Sequence, residues 1–189
     1  MANAQIPSIP PAKVSFEDFK QLVSDVEAHR KERLIDLDTF LKMSKQKGVV
    51  ILDTRSDFRY DRKHVKGARH LDFTDFTQNN LTKVIPNPET IVLIYCNNNF
   101  DGDEIDFATK MAGPMPQMQR QFATKPVMLA LNIPTYINLY GYGYHNVYEL
   151  SELVNVNDPR IEFEGSVVKK NSGFTIEHGL ESRISKSLG

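Results

Sequence analysis

Val49-Val50-Ile51-Leu52, Ile91-Val92-Leu93-Ile94-Tyr95 and Asn146-Val147-Tyr148-Glu149-Leu150 are short runs rich in β-branched and aromatic side chains. The first two are apolar at every position, the pattern of strands buried on both faces. Helical or loop stretches separate the three runs. Strand, helix, strand at this rhythm predicts an α/β fold with a parallel sheet and helices on both faces. In such sheets ligands sit beyond the carboxyl ends of the strands. Cys96, the single cysteine, follows directly on the second run.

The flanking segments read as follows. Pro7, Pro10 and Pro11 mark an extended arm. Ser15 then precedes Phe16, Phe19, Leu22, Val23 and Val26, an amphipathic helix with a serine N-cap. Asp36 or Asp38 caps a second helix carrying Leu37, Phe40, Leu41 and Met43, ended by Gly48. Residues 97–126 look like an inserted, partly ordered loop. Asn97-Asn98-Asn99-Phe100-Asp101-Gly102 is turn chemistry, and Gly113, Pro114 and Pro116 forbid a continuous helix. Helix resumes after Pro126 or Pro134 and ends near Gly141 and Gly143. The expected organisation is an N-terminal arm and helix over 1–32, one domain over 33–165, and a polar tail over 166–189.

Composition removes several classes. The 189 residues carry 23 basic and 24 acidic side chains, a formal charge of −1, so nothing global favours nucleic acid or an anionic membrane. The longest apolar run, Ile91 to Cys96, is far short of the roughly 20 residues a membrane span needs. One cysteine excludes an intrachain disulfide and zinc sites built on several thiolates. His29, His64, His70, His145 and His178 show no ligand spacing, so no metal is expected. The N-terminus has neither a charged n-region nor an apolar h-region. A chain with its own start and one whose signal was removed both fit, leaving the compartment open.

A thiol at the mouth of a turn after a buried strand has two readings. Backbone N–H groups and a following helix N-terminus can stabilise its thiolate. Equally, a free cysteine behaves as a small buried hydrophobe. The six cations Arg55, Arg59, Arg62, Lys63, Lys66 and Arg69 read first as a solvated face and second as a docking patch for an anion. Tyr136, Tyr140, Tyr142, Tyr144 and Tyr148 read as packing residues.

Three landmarks in order then resemble the rhodanese-like domain family. The first is Ile51-Leu52-Asp53-Thr54-Arg55, continued by His64-Val65-Lys66-Gly67-Ala68-Arg69-His70-Leu71. The second is Ile91 to Cys96, similar to the strand leading to the family's active-site cysteine. The third is Gly143 to Leu150. The resemblance covers about residues 33–154. It implies a five-stranded parallel sheet and sulfur transfer through a persulfide on Cys96, with no metal or organic cofactor. It also implies a small sulfur-donor anion or protein-borne persulfide as donor and a thiol as acceptor. Asn97, Asn98, Asn99, Phe100 and Asp101 would form the substrate-binding loop, their amides ringing a partly reachable Cys96. Asp53, Arg55, His64 and Gly67 match signature positions and are assigned structural roles.

The chain also departs from that pattern. The family's active loop is about six residues long and often ends in arginine; here the sixth residue after Cys96 is Gly102. A phosphatase of the related Cys-x5-Arg type is thereby excluded, since it needs that arginine to clamp phosphate. Asp101, Asp103, Glu104 and Asp106 would disfavour a thiolate if they fold near it. Arg120 and Lys125 read first as solvated surface charges and second as candidates to replace the missing cation. The expectation is a sulfurtransferase slow with thiosulfate, its insert acting as a selective lid. The alternative is a catalytically silent module that binds a protein partner.

Overall fold

The computed structural model of the chain describes residues 11–113 and 126–169. Five parallel strands form the central sheet: β1 (Leu34–Ile35), β2 (Val50–Asp53), β3 (Arg69–His70), β4 (Val92–Tyr95) and β5 (Val147–Leu150). Their order is β1-β5-β4-β2-β3. The three runs named above thus lie side by side as β2, β4 and β5. Register pairs Val50 with Val92 and Asp53 with Tyr95, so β2 and β4 end level. Asp53 and Cys96 therefore emerge at the same edge of the sheet.

Alternation along these strands builds two cores. Val50, Leu52, Val92 and Ile94 face one side with Val26, Leu81, Tyr136 and Leu139. Those partners come from α1 (Phe16–Lys31), α4 (Gln78–Val84) and α5 (Asn132–Gly141). Ile51, Leu93 and Tyr95 face the other side with Leu37 and Phe40 of α2 (Leu37–Ser44), and with Phe100 and Phe107. Helices on both faces explain why β2 and β4 are buried at every position. Tyr136 and Tyr144 are core residues whose hydroxyls donate to the Val147 and Ile85 carbonyls.

Capping follows the residue types. Ser15 Oγ accepts from Asp18 N–H at 3.1 Å, and Asp36 Oδ1 accepts from Thr39 N–H at 2.8 Å. α2 stops at Ser44, before Gly48; at φ +85° that glycine instead turns the chain into β2. α1 differs from expectation in its stripe. Val26 is buried, but Phe16 and Phe19 are exposed, because packing against α5 starts further along the helix, at Leu22 beside Gly141. Pro134 lies in the first turn of α5, whereas Pro126 precedes the short strand Val127–Met128.

Of the segment expected as loop, residues 97–113 carry short elements of structure. Phe100–Asp101 pairs in parallel with Val154–Asn155, and Met111–Ala112 pairs antiparallel with Val127–Met128. Arg120 and Lys125 lie outside the described residues. The cationic stretch is a solvated face only in part, with Lys66 and Arg69 exposed. Arg55 is buried; Arg62 of α3 (Asp57–Arg62) pairs with Asp106 at 2.6 Å and Lys63 with Asp103 at 3.0 Å. Two carboxylates of the acidic cluster are thereby engaged. Among the described residues, no helix is long and apolar enough to cross a membrane.

Candidate active site

The edge of the sheet holds two polar centres. Around Asp53, the Arg55 side chain is 1% exposed and its partner 0%. Arg55 Nε donates to Asp53 Oδ1 at 3.0 Å, and Nη2 donates to Asp53 Oδ2 at 2.7 Å and to the Lys63 carbonyl at 2.6 Å. Nη1 donates to the Asp106 carbonyl at 3.1 Å and to Asn97 Oδ1 at 3.4 Å. The Tyr95 hydroxyl donates to Asp53 Oδ2 at 2.5 Å and accepts from Val65 N–H at 3.0 Å. Burial opposes the Arg55 charge, yet the hydrogen bonds and charge of Asp53 outweigh it and raise its pKa. Burial, then the Asp53 charge, hold the Tyr95 phenol well above its ordinary value. This closed network joins β2, β4 and the loop after α3.

His64 and Gly67 serve the same scaffold. His64 Nδ1 donates to the Tyr60 carbonyl at 2.6 Å, and its ring stacks on Tyr60 at 3.8 Å. Gly67 adopts φ +79° and its N–H donates to Glu164 Oε1 at 2.8 Å. Only glycine takes that backbone conformation without strain.

Around Cys96 the three asparagines have separate tasks. Asn97 Oδ1 reaches the Arg55 network. Asn98 clamps Lys110, accepting its N–H at 2.8 Å and donating to its carbonyl at 3.0 Å. Asn99 Oδ1 accepts from Cys96 N–H at 2.9 Å, while Nδ2 donates to the Leu150 carbonyl at 2.7 Å. Phe100 is in the core against Phe107, and Asp101 is exposed. The loop predicted to bind substrate therefore spends most of its side chains on holding itself in place.

The sulfur departs from expectation in two respects. Cys96 is 1% exposed rather than reachable, and the chain that follows is fastened by the Asn98–Lys110 clamp. The backbone amides that lower the thiol pKa are those of Asn98, Asn132 and Leu131, not a ring drawn from 97–101 alone. Leu131 and Asn132 lie at the start of α5, so two of these amides come from across a long sequence gap. Burial pushes the thiol pKa up; these amides and the Lys110 charge pull against it without reversing it.

Asn132, Glu149, Arg30 and Lys110 were not singled out from sequence. Asn132 Nδ2 donates to Asn99 Oδ1 at 2.9 Å and to Glu149 Oε1 at 3.1 Å. Arg30 Nε and Nη2 donate to the two Glu149 oxygens, each at 2.6 Å. The signal available for Asn132 was its place just before Pro134, where helix starts favour asparagine. Among the described residues, no three His, Cys, Asp or Glu side chains cluster as metal ligands do.

A five-stranded parallel sheet flanked by helices, with a cysteine at the carboxyl end of its central strand, defines a class of α/β domain. The family model described as Rhodanese-like domain matches residues 36–152, and the chain belongs to that family. Among solved structures, a complex of EanB with hercynine is 19% identical, with a TM-score of 0.37, covering 62% of this chain and 23% of that one. This chain thus spans less than a quarter of that protein. The BH2092 protein from Bacillus halodurans is 14% identical, with a TM-score of 0.34, covering 71% of this chain and 73% of that one. No curated protein matches the chain.

Proposed function

We propose that the chain is a rhodanese-like sulfurtransferase that carries sulfane sulfur on Cys96. The observation that carries this reading is the place of Cys96 directly after the central strand β4, at the carboxyl end of a rhodanese-like sheet. Backbone N–H groups at such a place suit a thiolate or persulfide anion. The Cys96 thiolate attacks the outer sulfur of a donor R–S–SH. The donor S–S bond breaks, its electron pair leaves on the inner sulfur, and Cys96 keeps the outer one. An acceptor thiolate then attacks that terminal sulfur and the Cys96 thiolate leaves. No external oxidant or reductant is consumed. The raised thiol pKa and the absence of the loop arginine favour slow turnover with thiosulfate.

A second reading, a catalytically silent module that binds a protein partner, is favoured by the burial of Cys96. Intact-mass spectrometry separates the two. The full chain is incubated with thiosulfate and, separately, with glutathione persulfide. Gain of one sulfur atom on the native chain, lost in Cys96→Ser, supports transfer. No gain from either donor, together with resistance of the native thiol to iodoacetamide, supports the silent module.

A further inference from the structure

The sixth residue after Cys96 is Gly102, so the end of the loop brings no cation to the sulfur. The proposed chemistry calls for one. When the Cys96 thiolate attacks thiosulfate, the sulfur–sulfur bond breaks, sulfite leaves with the electron pair, and the persulfide keeps one negative charge. An anion and a dianion meet before that bond breaks. A nearby cation offsets their repulsion.

Four cations near this edge of the sheet are already spent on carboxylates. Arg55 pairs with Asp53, Arg62 with Asp106, Lys63 with Asp103 and Arg30 with Glu149. Lys110 is different. It is exposed, and among the described residues the lysines that form ion pairs are Lys20, Lys63 and Lys66. Its backbone is nonetheless fixed. The Asn98 side chain accepts the Lys110 N–H at 2.8 Å and donates to its carbonyl at 3.0 Å, and the Leu129 N–H donates to the same carbonyl at 3.0 Å. Glu104 is spent on the preceding residue, accepting from Thr109 N–H and Oγ1, each at 3.0 Å. Asn98 lies two residues past Cys96. Backbone bonds thus carry Lys110 to the cysteine loop and leave its ammonium uncommitted. That charge reaches the sulfur, where it pulls the thiol toward ionisation against burial.

We infer that Lys110 replaces the missing loop cation, as a positioning residue whose ammonium draws anions to Cys96. The substrate class this implies, a small anionic sulfur donor, rests on the sulfurtransferase reading; the charge effect does not.

Iodoacetate and iodoacetamide carry the same alkylating carbon, but only iodoacetate is charged. The ratio of their rates at Cys96 therefore reads the local field and cancels changes in thiolate population. It is measured at low salt on the full chain and on Lys110→Met, Lys110→Glu and Lys110→Arg. The clamp uses only backbone atoms of Lys110, so these exposed substitutions leave it in place. Lys110→Met should lower the iodoacetate-to-iodoacetamide ratio about threefold, as loss of one exposed charge does, and Lys110→Glu should lower it further. Lys110→Arg should restore it, and the differences should fade at about 1 M salt, where the Debye length is about 3 Å. Sulfur gain from thiosulfate, read by intact mass, should follow the same order. A ratio unchanged in Lys110→Met and Lys110→Glu would overturn the proposal, as would a native thiol that neither reagent labels. A ratio that falls in Lys110→Met and returns in Lys110→Arg supports it even where the native chain gains no sulfur from any donor; the sulfurtransferase reading alone then fails.

Discussion

Asp53 ends β2 and Cys96 follows β4, one strand away, yet the two centres are completed to different degrees. Around Asp53 every guanidinium nitrogen of Arg55 has an acceptor, and both carboxylate oxygens are used. Around Cys96 burial keeps the thiol pKa raised against the pull of three backbone amides, and among the described residues Asn132 Oδ1 has no donor. A fully satisfied network is scaffold: nothing is gained by adding a ligand. A centre with open capacity is where a transferred atom improves the balance.

If that contrast is right, the largest effect comes from breaking the satisfied centre. Arg55→Ala leaves the Asp53 carboxylate buried without its cation, and should cost about 3–5 kcal/mol of stability by urea denaturation. A loss near zero would mean that Asp53 finds another partner or water. Tyr95→Phe keeps the ring but removes the hydroxyl between Asp53 and Val65, with an expected loss of about 1–3 kcal/mol in the same assay.

The open centre should be structurally tolerant and chemically sensitive. Cys96→Ala creates a methyl-sized void and should cost only about 1 kcal/mol, while abolishing sulfur loading. A loss as large as that of Arg55→Ala would place Cys96 with the scaffold.

The smallest effect is on pH dependence. The folded chain holds the Cys96 thiol above its ordinary pKa of 9.0, whereas the unfolded chain ionises it near that value. The neutral thiol's contribution is therefore complete below 9.0 and is lost as pH rises toward the higher folded value. The stability difference between the native chain and Cys96→Ala should narrow above pH 9.0. Alkylation of the native thiol should still be rising at that pH; a plateau well below it would show that the amides prevail over burial.

The sequence made this contrast half visible. β2 and β4 were legible because burial on both faces leaves continuous apolar runs. β1 and β3 are two residues each, too short for any periodicity. The roles of Asp53 and Arg55 were readable because they sit two positions apart on one strand end. Asn132 was not, since its bond to Asn99 spans 33 positions and depends on where α5 begins. The α1 stripe misled because amphipathic spacing reports a face, not whether anything covers its whole length. The segment after Cys96 was read as loop because strands of two residues, such as Phe100–Asp101, take their partners from distant chain.

The bond from Asn132 to Asn99 has a consequence for engineering. The two halves of the amide cradle are fastened to each other directly, so the number of residues joining them is nearly a free parameter. Doubling the length of a connection costs only about 0.6 kcal/mol in closure entropy. The stretch between the paired strands Met111–Ala112 and Val127–Met128 is thus a natural place to graft a foreign peptide or a small domain. Such a graft would leave the bond from Asn132 to Asn99 in place.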